Sequence, residues 1–157
     1  MPITKVSLQS LAETRVLAQV IAELVRQGDM IALNGGLASG KTTFVQELLS
    51  SLGTSELVTS PTYALVHVYQ SRLCRVFHVD AYRLKDFAEF RDLGLEDYAE
   101  DSVTIVEWAE RIEGYVPFDL RLTFEVEEAG SEARLITIDA DGIRWQPLHD
   151  RFLQSRA

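Results

Sequence analysis

Residues 35–42 read Gly-Gly-Leu-Ala-Ser-Gly-Lys-Thr, and this stretch is the strongest indication of the fold class in the sequence. It satisfies the pattern G-x-x-x-x-G-K-[ST] of a phosphate-binding loop. Its glycines let the backbone curl until successive amide groups point at phosphate oxygens, and the helix that follows adds free N-terminal donors. With the next threonine, the predicted binding residues are Gly35, Gly36, Leu37, Ala38, Ser39, Gly40, Lys41, Thr42 and Thr43.

The sequence on both sides of this loop favours a real site over a chance match. Residues 29–34 have an apolar centre, Met30–Leu33, and predict a short buried strand in the centre of a sheet. Residues 41–52 predict a helix that ends at Gly53. In this context Lys41 would bring its charge to the β- and γ-phosphates, and the Thr42 hydroxyl would bind Mg²⁺. The loop therefore predicts binding of a nucleotide through its phosphates.

Composition predicts one folded domain over residues 1–157. The chain is 46% hydrophobic and 25% charged, with 15 basic and 24 acidic side chains and a formal net charge of −9. The hydrophobic share is enough for a single core. The acidic excess argues against a protein that holds nucleic acid by neutralising its phosphates, so any RNA would be held by something else.

Other composition features exclude several classes of protein. No apolar run approaches the roughly 18 residues that a membrane span needs, and no signal peptide is visible, so we expect no membrane association. Cys74 is the only cysteine, which excludes an internal disulfide and a zinc site built from cysteines. We expect a cytoplasmic protein without a disulfide-linked partner.

Periodicity predicts strands and helices that mingle along the chain, which is typical of an α/β fold with a mixed sheet. Ser10 and Glu13 have the spacing of a capping box at the start of an amphipathic helix, with Gly28 just past its end. A helical stretch covers residues 84–99 with a break at Gly94. The predicted strands are 3–8, 29–34 and 102–106, with hairpins formed by 63–69 with 73–80 and by 118–127 with 133–138. Residues 59–63 are expected to form a loop, and residues 141–157 are left open between a helix and a loose tail.

Two acidic residues end predicted strands and are candidates for the metal and the catalytic water. Asp80 follows the strand 73–79, and Glu107 follows the strand 102–106. Parallel strands would deliver both carboxylates to the crevice where the phosphates bind. The alternatives are a turn or helix-cap acid for Asp80 and a solvated strand-end charge for Glu107. Thr62, on a predicted loop, could reach the γ-phosphate or the metal.

Several other residues have plainer interpretations. His67 and His78 lie on a predicted hairpin without a metal-binding pattern, which favours packing or surface roles. Trp108 is expected in the core or as a lid at the edge of the crevice. Residues 86–113 are rich in carboxylates with only Arg91 and Arg111 as basic partners, which predicts a solvated face or, less simply, a docking surface for a basic protein.

Four separated motifs of this chain resemble those of the TsaE family, also called YjeE. They are the phosphate loop with its threonine at 35–43, SPTYALV at 60–66, HVDAYR at 78–83 and VEW at 106–108, in the family's order and spacing. The segment 93–96 adds to the resemblance, which covers roughly residues 8–127. It implies a three-layer P-loop NTPase-like domain in which helices flank a mixed central β-sheet.

The resemblance also implies a function. Proteins of this family are bacterial ATPases needed for the threonylcarbamoyladenosine modification of tRNA. They hydrolyse ATP to ADP with Mg²⁺ while bound to TsaB and TsaD, and TsaD performs the transfer onto tRNA. The partners implied for this chain are therefore TsaB and TsaD, with tRNA reached indirectly through that complex.

Site roles carried over from the family fall on residues already singled out. Thr62 would complete the magnesium site from a switch-like loop, Asp80 would be the metal-associated acid, and Glu107 would be the acid of hydrolysis with Trp108 beside it. The implied catalytic residues are Lys41, Thr62 and Glu107. The implied metal site is Thr42, Thr62, Asp80 and Glu107.

The phosphate loop departs from the family's common G-D-L-G-A-G-K-T. Gly36 replaces the acid, Ala38 replaces a glycine, and Ser39 replaces an alanine. A Cβ at position 38 restricts the backbone if that residue needs a positive φ. Ala64 also stands where the family more often has threonine, which leaves Thr62 as the hydroxyl of that loop.

Two rival functions fit the same loop. A small-molecule kinase would need a lid with several arginines, and no such helix is visible between Lys85 and Glu110. A non-enzymatic module, in which ATP orders the loop around Thr62 for a partner, would need no hydrolysis. A guanine-specific switch is disfavoured because the chain has no N-K-x-D element.

Overall fold

A seven-stranded sheet runs through the computed structural model of the protein, which describes residues 3–36, 38–54 and 65–154. The strands are β1 (Ile3–Leu8), β2 (Met30–Gly35), β3 (Val66–Gln70), β4 (Arg75–Asp80), β5 (Ser102–Glu107), β6 (Leu120–Val126) and β7 (Arg134–Asp139). The α-helices are α1 (Leu11–Leu24), α2 (Lys41–Ser51), α3 (Phe87–Asp92) and α4 (Gln146–Gln154).

The sheet is mixed, as the sequence predicts. Its strand order is β1-β7-β6-β2-β5-β4-β3. The four central strands β6, β2, β5 and β4 are parallel, whereas β7, β1 and β3 add antiparallel pairs at the two edges. Both predicted hairpins are confirmed as β3–β4 and β6–β7. The carboxyl ends of the parallel strands therefore meet at one edge of the sheet, which is where ligands bind in such folds.

Apolar side chains of alternate strand residues build one core on each face of the sheet. On β2, Ile31 and Leu33 belong to the core formed with α1, α2 and α4, whereas Ala32 belongs to the core formed with α3 and the short 3₁₀ turns. Because this strand is buried on both faces, it reads as a continuous apolar run. The three-layer α/β fold is confirmed.

The first helix begins as its sequence predicts and ends earlier. The Glu13 amide donates to Ser10 Oγ at 3.4 Å, as in a capping box, but the Glu13 carboxylate accepts from the Gln9 amide and not from that of Ser10. The helix ends at Leu24. Gly28, with φ of 98°, lies in the turn that leads into β2 and does not directly follow the helix.

The break predicted at Gly94 within the helical stretch 84–99 is confirmed, whereas the bounds of that stretch are wrong because α3 begins only at Phe87. Asp86 caps α3, which ends after six residues, and Gly94 then adopts a left-handed φ of 74°. A 3₁₀ helix, Leu95–Asp101, follows this reversal. The left-handed glycine breaks the helical path and turns the chain toward β5.

The C-terminal segment that the sequence left open forms α4 up to Gln154. Pro147 lies at its start, where a missing amide costs no intrahelical bond. The predicted loop at 59–63 lies outside the described residues. Within the described ranges, no helix is both long enough and apolar enough to span a membrane.

Candidate active site

The phosphate loop connects the end of central strand β2 to the start of α2. Gly35 has φ of 139°, and a Cβ there would lie 2.5 Å from the carbonyl oxygen of Phe124 on β6. Only glycine fits at this close approach. Gly40 has φ of 108° and stands at the N-cap of α2, and no side chain in the described part of the chain caps that helix. The helix start is therefore left available for an anion.

The departures of this loop from the family pattern have different structural meanings. Ala38 has φ of 58°, so it adopts the left-handed conformation that a residue with a Cβ reaches only at a cost. Gly36 lies in open space, since a Cβ there would meet no heavy atom within 4 Å, and nothing in the structure explains a glycine at this position. Ser39 is buried, and its Oγ has no hydrogen-bond partner among the described residues.

Lys41 points back over the loop that precedes it. It is only 5% exposed, and its Nζ donates to the carbonyl oxygens of Gly35 and, at 3.2 Å, of Gly36. The same ammonium lies 3.9 Å from the ring centroid of Trp108. Burial lowers the pKa of Lys41, and the nearby carboxylates, Glu107 first among them, oppose that change. The Lys41 ammonium therefore lies over the backbone of Gly35 and Gly36, on the side of the loop where phosphates would bind.

Trp108 and Tyr82 form an aromatic wall beside this cation. Trp108 adopts φ of 58°, which is rare for a bulky residue, and its amide donates to the carbonyl of Leu33 at 2.9 Å. The rings of Tyr82 and Trp108 lie 4.9 Å apart. Trp108 is half-buried at the edge of the crevice, whereas Tyr82 is a site residue that sequence reasoning missed although it lies within the HVDAYR motif.

Asp80 and Glu107 are direct neighbours at the carboxyl ends of β4 and β5. The parallel register pairs the two residues, and both line a groove of about 390 Å³ together with Lys41 and Thr42. Asp80 Oδ1 also accepts from the Tyr82 amide at 3.1 Å, so it caps the following turn as the alternative interpretation proposed. Burial raises the pKa of Asp80, and the Glu107 charge raises it further.

Glu107 is buried, so the alternative of a solvated strand-end charge is wrong. It is 5% exposed, and its carboxylate contacts Nε2 of the fully buried His78. The packing interpretation of His78 is confirmed by its burial, but sequence reasoning missed this contact. The pairing of β4 with β5 would have indicated it. His78 lies two residues before Asp80, which places it diagonally opposite Glu107.

Arg134, at the start of β7, also lines the groove and was not predicted. Its guanidinium donates to the backbone carbonyls of Ala38 and Ser39 in the phosphate loop. No local pattern marks this arginine, because only the pairing of β7 with β6 brings it to the loop.

The oxygen donors of the groove suit a magnesium ion. Asp80, Glu107 and Thr42 offer carboxylate and hydroxyl oxygens, the hard ligands that Mg²⁺ prefers. Within the described ranges, no three His, Cys, Asp or Glu side chains are grouped to hold a metal by themselves. This arrangement fits an ion that is held by few protein oxygens and by substrate phosphates. Leu37 and Thr62, two of the predicted site residues, lie outside the described residues.

A second cavity of about 340 Å³ adjoins the groove. The two share Gly40, Thr43 and Arg134. The remaining lining residues are Leu11, Thr14, Gln46, Glu47, Phe124, Glu132 and Ile136. The phosphate loop therefore has open space on both sides of the N-terminus of α2.

Comparisons with known proteins agree with the motifs. The family model described as "Threonylcarbamoyl adenosine biosynthesis protein TsaE" matches residues 8–136. The tRNA threonylcarbamoyladenosine biosynthesis protein TsaE of Bacillus subtilis is 37% identical over 87% of this chain and 85% of its own length. That of Streptomyces coelicolor is 39% identical over 83% of this chain and 93% of its own length.

A solved structure shows the same fold. The crystal structure of Bacillus subtilis YdiB superposes with a TM-score of 0.70 at 29% identity, covering 99% of this chain and 97% of that one. The family match, the two relatives and the site geometry lead to one conclusion. The chain belongs to the TsaE family of threonylcarbamoyl adenosine biosynthesis proteins, whose phosphate loop marks it as a P-loop nucleotide-binding protein.

Proposed function

We propose that this chain is a Mg²⁺-dependent ATPase that hydrolyses ATP to ADP in association with TsaB and TsaD, in the cytoplasm, during threonylcarbamoyladenosine modification of tRNA. The observation that carries the proposal is the register pair Asp80–Glu107, which faces the same groove as Lys41 and Thr42. A phosphate loop alone binds nucleotides, whereas two carboxylates beside it supply what hydrolysis needs.

The loop would hold the triphosphate and Lys41 would bind its β- and γ-phosphates. In the structure the Lys41 ammonium is bound by two loop carbonyls, and phosphate oxygens would replace them as stronger, charged acceptors. The nucleoside would extend past Thr43 into the adjoining cavity, which shares Gly40, Thr43 and Arg134 with the groove. This placement gives the base a site that no sequence motif indicated.

Glu107 would orient the attacking water. Water attacks the γ-phosphorus, the bond to the β–γ bridging oxygen breaks, and ADP, phosphate and a proton leave. His78 contacts the Glu107 carboxylate and would fix its direction. Thr42, Asp80, Glu107 and, from the family resemblance, Thr62 would hold Mg²⁺, which would neutralise charge on the phosphates when bound.

Turnover by the chain alone should be slow. Of the described residues that line the groove, only Lys41 and Arg134 are cationic, and Arg134 is already bound to backbone carbonyls. A loose phosphoryl transition state gains much from further positive charge, which a partner can supply. The net charge of −9 also supports contact with tRNA through TsaB and TsaD.

Phosphate release from ATP, measured with and without purified TsaB and TsaD, tests the proposal. We expect slow release by the chain alone, strong stimulation by the partners, and no release with Lys41→Ala. Absence of any stimulation would contradict it. A phosphorylated small-molecule product would favour the kinase, and ATP-dependent complex formation without any hydrolysis would favour the binding module.

A further inference from the structure

Arg134 ties the phosphate loop to the turn between β6 and β7. Its Nε donates to the carbonyl oxygen of Ser39 at 2.9 Å, and its Nη2 donates to that of Ala38 at 3.4 Å. Its Nη1 donates to the carbonyl oxygens of Ser131 at 2.7 Å and Ala133 at 3.1 Å. One side chain thus joins two segments that are far apart in sequence.

These bonds fix the direction of the loop amides. In a trans peptide the carbonyl and the following amide point in opposite directions, and the described residues contain no cis peptide bond. Holding the oxygens of Ala38 and Ser39 against Arg134 therefore turns the amides of Ser39 and Gly40 away from it together. Amides that point the same way form the concavity that binds phosphate.

The residue that Arg134 holds is the strained one. Ala38 has φ of 58°, a left-handed conformation that costs a residue with a Cβ roughly 1–2 kcal/mol. Glycine reaches the same conformation without that cost. The loop of this chain therefore needs support from outside, and Arg134 contacts both Ala38 and its neighbour Ser39.

We propose that Arg134 is a positioning residue that holds Ala38 in the left-handed conformation and so compensates for the glycine that this loop lacks. The proposal rests on nucleotide binding by the loop, as proposed above. Arg134 acts through the loop backbone, because its Nε and Nη2 donate to the loop carbonyls of Ser39 and Ala38. Its Nη1 donates to carbonyls of the β6–β7 turn, which anchors the guanidinium there.

A double-mutant cycle on the full chain, with the Kd for ADP measured by calorimetry, tests this role. We expect Arg134→Gln to weaken ADP binding about tenfold, the equivalent of one charged hydrogen bond. Ala38→Gly alone should bind within about threefold of the unaltered chain. Adding Arg134→Gln to Ala38→Gly should cost no more than about threefold, because glycine no longer needs to be held.

Arg121→Gln is the matched control, since Arg121 lies on neighbouring β6 and pairs with Glu113 and not with the loop. It should leave the Kd within about twofold. If Arg134→Gln does not fold, as judged by its unfolding transition, Arg134→Lys replaces it in the same cycle. Lysine keeps the charge but lacks the planar fork, so the same rescue by Ala38→Gly is expected.

Two results would overturn the role of Arg134. One is an unchanged Kd in Arg134→Gln, and the other is an equal loss with alanine and with glycine at position 38. Failure of the unaltered chain to bind ADP is a different result, because it would contradict the proposed function itself.

Discussion

The groove has two walls that are built in different ways. The loop wall, formed by Gly36 and residues 38–43, is one local stretch that follows β2 and includes the start of α2. The carboxylate wall consists of Asp80, Glu107 and Trp108, which reach the groove only because β4 and β5 pair in parallel. Local sequence therefore makes the first wall, and sheet register makes the second.

This difference predicts that the loop wall binds the nucleotide and that the carboxylate wall carries out hydrolysis. The loop wall presents amides and the Lys41 ammonium, which interact with phosphates in the ground state. The carboxylate wall presents groups that act on water and metal. Variants of the loop wall should change nucleotide affinity, and variants of the carboxylate wall should change turnover.

The greatest loss of ATP affinity is expected from substitution of Lys41. Lys41→Ala removes the buried cation that would bind two phosphates, and should weaken ATP binding by about 100-fold or more. Equilibrium binding of ATP measures this loss. Lys5→Ala, which changes an exposed lysine on β1, is the control and should bind normally. Similar affinity in both variants would remove the loop wall from nucleotide binding.

Glu107→Gln should separate the two walls most cleanly. The amide keeps the size of the side chain but cannot accept a proton or act as a charged ligand, so turnover should fall about 100-fold or more. The Kd for ATP should stay within about threefold. Phosphate release and ATP retention are measured on the same sample, with Glu125→Gln, an exposed residue of β6, as the control. An equal loss of ATP affinity and of phosphate-release rate would contradict the separate roles of the two walls.

Trp108 belongs to the carboxylate wall but also contacts Lys41 of the loop wall, so its substitution should change both binding and turnover. Its ring lies against the Lys41 ammonium, a contact of about 1 kcal/mol when partly desolvated. Trp108→Leu should therefore weaken ATP binding about fivefold and lower turnover, whereas Trp108→Phe should keep more of both. Titration with ATP followed by initial-rate measurements gives the two numbers. Full activity in Trp108→Leu would show that the contact of Trp108 with Lys41 is dispensable.

The smallest expected effect is on stability and depends on pH. The folded state raises the pKa of Asp80, so its charged form costs stability above that pKa and costs nothing below the unfolded pKa of about 4. Without nucleotide, Asp80→Asn should therefore raise Tm at pH 7 by about 1 °C. The increase is small because solvent screens the charge of this partly exposed group. The gain should vanish near pH 3. A lower Tm at pH 7 would contradict this sign.

The loop wall was predictable from sequence, whereas the carboxylate wall was predictable only in part. Asp80 and Glu107 could be placed at strand ends, because apolar runs stop at them. Their pairing, and the contact of Glu107 with His78, follow from sheet register, which no local pattern encodes. Arg134 was missed for the same reason, since only the pairing of β7 with β6 brings it to the loop.

Helix extents were harder to predict than strands. The break predicted at Gly94 within residues 84–99 is present, but the helix begins only at Phe87 and the part after Gly94 is a 3₁₀ segment. The strain at Ala38 was foreseen from the departure in the loop, because a Cβ has a known cost at positive φ. The support that Arg134 gives to this residue could be found only in three dimensions.

The position of a bound triphosphate decides whether the two walls act together, and a crystal structure of the chain with a non-hydrolysable ATP analogue and Mg²⁺ shows that position. We predict that the triphosphate lies in the curve of residues 35–42, with its γ-phosphate facing the Asp80 and Glu107 carboxylates across the groove. A triphosphate bound elsewhere, or a γ-phosphate turned away from both carboxylates, would contradict the proposed ATPase site.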